Sequence, residues 1–222
     1  MQGMHSDYQK TNYSGWLISF EGGEGSGKTT QISRIRSRLE DCGQQVVVLR
    51  EPGGTPIAEQ IREVVLSSKN VGIAYTAEVL LFQAARAQLY REVVIPSLES
   101  GKIVLMDRTR DSSVVYQGIV RGFGQELIEQ LNDISTKNIL PTVTFLLDVD
   151  PEIGLARRGA SEDEINRLDM ESQSFHQKVR SAYLSLIEQD KNNRWVKIDA
   201  SQKIDQIENA IWQEVRSRGL CG

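Results

Sequence analysis

Apolar residues follow two rhythms along this chain. Five short, nearly continuous runs, at 16–20, 46–49, 103–106, 143–149 and 195–198, read as buried strands of the parallel kind, which carry no polar face. Between them apolar residues recur three and four apart, the spacing of a helix with one buried stripe. That spacing predicts helices from Lys28 to about Asp41 (Ile32, Ile35 and Leu39 on one stripe), over 57–66, from Thr76 to about Ser100, near 113–120 and 124–138, over 169–189 and over 204–216. Gly43 and Gly101 are expected helix stops. Pro141 precedes the fourth strand, and Pro151 sits where a first helical turn tolerates proline. Residues 157–168 are polar and charge-rich and read as an exposed, mobile segment.

Strands alternating with helices imply an α/β fold: a five-stranded parallel sheet covered by helices on both faces, as one domain over residues 16–218. The polar stretch 1–15 lacks an apolar core, so it reads as a flexible extension and not as a signal peptide. Ligands of such sheets bind beyond the carboxyl ends of the strands. The polar motifs at 21–29, 50–55 and 107–113 each follow one of those ends.

Composition narrows the partners. The chain has 222 residues, 39% hydrophobic and 25% charged, enough for a core without metals or disulfides. No apolar run approaches the ~18 residues that a membrane helix needs. The net charge of −4 argues against a nucleic-acid footprint, which requires a basic surface. Cys42 and Cys221 lie far apart in sequence and match no metal or redox spacing, so they read as unpaired thiols of a reducing, cytoplasmic protein.

Gly22-Gly23-Glu24-Gly25-Ser26-Gly27-Lys28-Thr29, followed by Thr30, has the form G-x-x-x-x-G-K-[ST] between a strand and a helix. Glycines let backbone amides converge on phosphate oxygens, the helix N-terminus adds a positive dipole end, and Lys28 adds a point charge. The Thr29 hydroxyl can ligate Mg²⁺. The fold is thus expected to be the three-layer P-loop NTPase type. Guanine-specific N-K-x-D and an L-S-G-G-Q-like signature are both missing, which leaves a small kinase with a second substrate to find.

Three clusters bear on that substrate: Arg50-Glu51-Pro52-Gly53-Gly54-Thr55, Phe82-x-x-x-Arg86, and Asp107-Arg108 followed by Asp111-Ser112-Ser113-x-x-Tyr116-Gln117-Gly118. Taken singly, Phe82 and Tyr116 can also be read as core aromatics, Arg50 as a solvated loop charge and Arg86 as a surface or salt-bridge residue. In this order, over residues 16–212, they resemble the thymidylate kinase family and its bacterial branch. Residues 147–149 and 167–172 fit as well.

That resemblance implies transfer of the γ-phosphoryl of ATP to dTMP with Mg²⁺, in a homodimer. Phe82 would stack on thymine and Arg86 would meet the base O4. Arg108 and Arg50 would grip the dTMP phosphate, and Tyr116 would pack against the deoxyribose. Ser113 and Gln117 would lie near the base edge, Glu24 at the sugar 3′-OH, and Pro52 would be cis. Asp107 would organise water bound to Mg²⁺ or orient Arg108. Residues 157–168 occupy the place of the family's lid, with Arg158, then Arg157, the arginines expected to reach the transferred phosphate. The acidic run Glu162, Asp163, Glu164 reads as a solvated face, and the segment is poorer in arginine than the family pattern. Thr109 stands where the family commonly has an aromatic, so a looser pocket wall is expected. Arg110 reads as a solvated charge, with an added phosphate ligand as the alternative. His5 and His176 read as exposed or structural, Trp195 and Trp212 as core or interface. A kinase of another nucleoside monophosphate or a deoxynucleoside, or a weakly catalytic nucleotide-binding regulator, remains open at this point.

Overall fold

The computed structural model describes residues 13–159 and 166–221. Most of the expected N-terminal extension, including His5, lies outside the described residues, as do Glu162, Asp163 and Glu164 of the lid segment. Strands β1 (Trp16–Glu21), β2 (Val46–Arg50), β3 (Ile103–Asp107), β4 (Val143–Asp148) and β5 (Trp195–Asp199) form one sheet. Its order is β2-β3-β1-β4-β5, and every pair is parallel. Because β1 is central, its carboxyl end opens into the crevice between crossovers that leave in opposite directions, where such sheets bind ligands.

Successive side chains of a strand point to opposite faces. Ile18 and Phe20 of β1, Ile103 and Leu105 of β3, and Val143, Phe145 and Leu147 of β4 meet α1 (Lys28–Asp41) and α9 (Ile204–Ser217) on one face. Leu17, Val104 and Met106 meet Leu89, Tyr90, Val94 and Leu98 on the other. Leu146 meets α8 (Gln173–Glu188) on that same face. The α/β expectation with helices on both faces therefore holds. The expectation that β2 is buried does not: it is an edge strand, and Val48 is 41% exposed. β5 is the opposite edge.

Local chemistry sets the helix limits. At the end of α1, Gly43 has φ 78° and its amide bonds to Glu40 O while Gln44 N bonds to Leu39 O, closing the helix as the glycine predicted. Helix α2 (Pro56–Leu66) begins with Thr55 Oγ1 accepting from Ala58 N and proline in its first turn. The long helix expected from Thr76 is α3 (Tyr75–Leu89), a wider π-helical stretch Tyr90–Val94, and α4 (Ile95–Glu99). The widening precedes Pro96, which has no N–H for the carbonyl four residues back. After α5 (Arg110–Ser113) a second wide stretch, Val114–Val120, leads to α6 (Gln125–Thr136). Pro151 opens α7 (Pro151–Gly159).

The helix expected from Asp169 starts later, at Gln173, where Ser172 Oγ caps Phe175 N at 3.3 Å. Asp169 is held in a turn instead: its carboxylate accepts from Asn166 N and from Arg158. The two cysteines, remote in sequence, meet in space. Cys42 caps α1 and is exposed, and Cys221, its neighbour, is buried against the α1–α9 core.

Candidate active site

The phosphate loop leaves β1 at Glu21 and enters α1 at Lys28. Lys28 is buried, and its Nζ donates to Gly22 O at 3.3 Å, Gly23 O at 3.0 Å and Ser26 Oγ at 3.3 Å. Burial, then the nearby Arg108, lowers its pKa from the usual lysine value. Thr29 Oγ1 donates to Asp107 Oδ2 at 3.0 Å, which ties the loop to the end of β3. The loop also touches α7 backbone to backbone. A Cβ on Gly25 would lie 1.9 Å from Gly154 O, and one on Gly154 would lie 2.3 Å from Glu24 O, so only glycine fits at either position.

The turn after β3 is built on Glu21. Arg108 has a left-handed backbone, φ 69°, held by its own N–H to Phe20 O at 3.0 Å and by Thr109 N to Glu21 Oε1 at 2.8 Å. A strained, over-determined residue of this kind is usual where a side chain must be aimed. Ser112 Oγ (2.6 Å) and Tyr183 OH (2.8 Å) donate to the other oxygen of Glu21. Both hydroxyls also accept from Arg108 Nη1. Burial, then Asp111, raises the Glu21 pKa. Arg108 Nη2 donates to Glu24 Oε1 at 2.7 Å, Tyr116 OH reaches the same oxygen at 3.3 Å, and the guanidinium lies 5.2 Å over the Tyr116 ring. Burial opposes ionisation of Glu24, but Arg108 and Lys28 outweigh it and hold its carboxyl below the usual range.

Glu78, Phe82 and Arg86 repeat at four-residue spacing along one stripe of α3. Arg86 is fully buried. It donates to Glu51 Oε2 (2.7 Å), Asn132 Oδ1 (2.8 Å), Gln83 Oε1 (3.2 Å) and Thr109 O (3.1 Å). Gln117 Nε2 donates to Glu78 Oε1 at 2.8 Å. The Glu51–Pro52 bond is cis. Arg50 is exposed and pairs with Glu59. Arg157 donates to Ala200 O, and Arg158 pairs with Asp169 at 3.0 Å.

Many of these groups face one cavity of about 1640 Å³ at the carboxyl ends of β1, β2 and β3. Its wall carries Glu24 through Thr30, Arg50, Pro52, Phe82, Arg86, Asp107, Arg108, Ser113, Tyr116, Gln117, Arg157 and Arg158. Of the residues expected to bind ATP, dTMP or Mg²⁺ or to act on the transferred phosphate, all but Gly22 and Gly23 are on its wall. A pocket for one small ligand is typically about 300–1,000 Å³, so this volume suits two.

The family model for thymidylate kinase matches residues 20–211. The chain belongs to the thymidylate kinase family. Thymidylate kinase of Geobacillus sp. (strain WCH70) is 46% identical over 194 residues, 87% of this chain and 92% of that relative. Thymidylate kinase of Citrifermentans bemidjiense is 43% identical over 220 residues, 94% of this chain and 96% of that relative. The crystal structure of thymidylate kinase from Ehrlichia chaffeensis at 2.15 Å resolution superposes with a TM-score of 0.74 at 29% identity, covering 90% of this chain and 98% of that one. ATP-dependent phosphorylation of dTMP is the activity of this family, and this chain is an enzyme of that kind.

Within the thymidylate kinase frame three sequence readings are corrected. Thr109 does not loosen the pocket wall: it is fully buried, both its amide and its hydroxyl bond to Glu21, and its carbonyl accepts from Arg86. Arg110 is neither solvated nor a phosphate ligand. It is buried against α6, bonded to Glu129 and Asp133. Arg167 is not in an exposed stretch either: it is buried and pairs with Glu78 at 2.5 Å. His176 is buried and packs edge-on against Phe175.

Other residues escaped the sequence reading. Arg62 lines the cavity and donates to Pro52 O at 2.7 Å. Burial, then Arg50, lowers its pKa. Glu21, Glu51 and Glu78 are buried carboxylates that hold the cavity's cations and Gln117 in place. For Glu78 a signal existed, its spacing to Phe82 and Arg86; Glu51 and Glu21 stand within the motifs at 50–55 and 21–29, but their roles were not legible there, since their partners come from distant segments.

Proposed function

We propose that this protein transfers the γ-phosphoryl group of ATP to the 5′-phosphate of dTMP within the single cavity described above, with the following division of labour. The loop amides of residues 22–30 and Lys28 hold the triphosphate, and Arg108, Arg50 and Arg62 receive the monophosphate. Two polyanions repel, so clustered cations are the main requirement, and alignment rather than covalent chemistry lowers the barrier. Glu24 sits between these halves, placed to accept from the sugar 3′-OH, while it also fixes Arg108. Tyr116 packs against the deoxyribose. Phe82 stacks on the base, Arg86 presents a rigid guanidinium to a base carbonyl, and Ser113 and Gln117 line the base edge. Arg158 and Arg157, at the start of the lid, approach the transferred phosphate as the lid excludes water.

Thr29 and Asp107 suit Mg²⁺: a hydroxyl and a carboxylate oxygen already adjacent at 3.0 Å are hard donors. Among the described residues no cluster of three or more His, Cys, Asp or Glu forms a metal cage, which fits an ion held largely by phosphate oxygens and water. Bound there, Mg²⁺ would neutralise charge on the triphosphate.

A second copy of the chain is the proposed partner. Leu80 of α3 and Leu127 and Ile134 of α6 are 56%, 45% and 77% exposed on helices that pack together, and such a surface suits a dimer. No described helix is long and apolar enough to cross a membrane.

The observation that carries the reading is the phosphate-loop lysine and the Phe82–Arg86–Gln117 wall opening into one cavity with Arg108 between them. A coupled assay of ADP release tests it: saturable release is expected with dTMP and not with dCMP, UMP or dGMP. Equal rates across that panel, or ATP binding without turnover on any of them, would refute it.

A further inference from the structure

Glu78 lies one helical turn before Phe82, on the stripe of α3 that faces the base pocket, and is fully buried. Arg167 Nη2 is 2.5 Å from one of its oxygens and Arg121 Nε 3.8 Å from the other. Arg167 is itself fixed, donating to Val65 O and bonding through its own amide to Leu66 O. Flanked by two guanidinium groups, Glu78 is a carboxylate that only accepts hydrogen bonds. Its Oε1 accepts from Gln117 Nε2 at 2.8 Å. A glutamine side chain has one donor end and one acceptor end. Glu78 takes the donor end, so the carbonyl end of Gln117 is left to the cavity that this residue lines.

We infer that Glu78 is a specificity-determining positioning residue: it fixes the Gln117 amide so that the base pocket offers an acceptor. Such a pocket takes a pyrimidine whose ring nitrogen carries a hydrogen, the 2,4-dione type, and rejects an aminopyrimidine whose ring nitrogen is an acceptor. This rests on the dTMP reading and adds the group that enforces the choice. A buried acceptor facing an acceptor leaves both unpaired, and sites built on hydrogen bonds discriminate strongly for that reason. Glu78 does not touch the substrate. It acts through Gln117 and is itself held in place by Arg167.

The test is Glu78→Gln, assayed on dTMP, dUMP and dCMP. An amide at position 78 can accept or donate, so it permits the flipped Gln117. The dTMP/dCMP ratio of kcat/KM is expected to fall about tenfold or more, a fraction of what a fixed hydrogen-bond site supplies. The dTMP/dUMP ratio should stay within about twofold, because both bases carry the same ring N–H and a flipped amide treats them alike. A purely structural role would lower all three substrates together, and an unchanged dTMP/dCMP ratio overturns the inference. A wild-type protein that used dCMP as readily as dTMP would instead remove the dTMP reading itself, and the inference with it. If Glu78→Gln does not fold, NMR of the full-length wild-type chain decides. The Gln117 side-chain amide, assigned by its loss in Gln117→Leu, should be protected from solvent exchange; exchange at the rate of an exposed glutamine overturns the inference.

Discussion

Arg108 Nη2 lies 2.7 Å from Glu24 Oε1, so the turn after β3 is bonded to the middle of the phosphate loop, 84 residues away in sequence. The two halves of the cavity are thereby fixed relative to each other. The cation proposed for the monophosphate and the carboxylate proposed for the sugar share one bond, and each limits where the other can point.

That pair should show in acid. Folded Glu24 sits below its reference of 4.5, so the stabilisation it gives is present above that value and lost as pH falls through the lowered one. Chemical denaturation of wild type and Glu24→Gln from pH 7 to pH 3 should show a stability difference that shrinks below about pH 4.5. A difference independent of pH would disprove the assignment.

Lys28→Ala should lower kcat by about 10²–10³, the scale of losing one preorganised charge at a developing anion. The melting temperature should change little, because among the described residues Lys28 bonds within its own loop, to Gly22, Gly23 and Ser26. Single-turnover kinetics with a thermal melt check both halves, and normal turnover would refute the phosphate-loop assignment.

Arg86→Ala is expected to act on the fold before the ligand. It strands Glu51, whose pKa burial already raises against the opposing pull of Arg86. Breaking a buried pair from one side costs about 3–5 kcal/mol. Equilibrium unfolding should show a loss of that order, accompanied by weaker dTMP binding with ATP affinity less affected. A variant as stable as wild type would mean that Arg86 is not paired in solution.

Gly154→Ala should separate the phosphate loop from α7, since the new methyl would meet Glu24 O at 2.3 Å. A raised KM for ATP and a lower melting temperature are expected, with kcat/KM for dTMP less affected. Unchanged kinetics would show that this contact is not required.

The two thiols should differ in reactivity. Burial, then the neighbouring Cys42, pushes the Cys221 thiol up to about 12, so it stays protonated near neutrality. Intact-mass analysis after iodoacetamide at pH 8 should find one alkylation, at exposed Cys42, and two only after denaturation. Double labelling of the native protein would contradict the buried position of Cys221.

Much of this molecule was legible in the chain because its signals are local. The strands announced themselves as apolar runs, α1 by Ile32, Ile35 and Leu39, and the phosphate loop by glycines whose spacing the backbone itself requires. Edge status was not legible: β2 has the same β-branched run as a central strand, and only its place in the sheet leaves Val48 exposed. The start of α8 was misjudged because Asp169 is as good a helix opener as Ser172. The contest was settled by Arg158 and Asn166 occupying that carboxylate.

The sequence by itself determined the order of elements, the nucleotide chemistry and most of the residues that face the cavity, since each depends on neighbours within one turn or one loop. Tertiary structure alone decided how the buried charges pair. Glu21 meets Thr109 and Tyr183, Glu51 meets Arg86, and Glu78 meets Arg167, partners 35 to 162 residues apart. A charge in a sequence looks the same whether water or another side chain satisfies it. Which one does so depends on the desolvation that the packed sheet and helices impose.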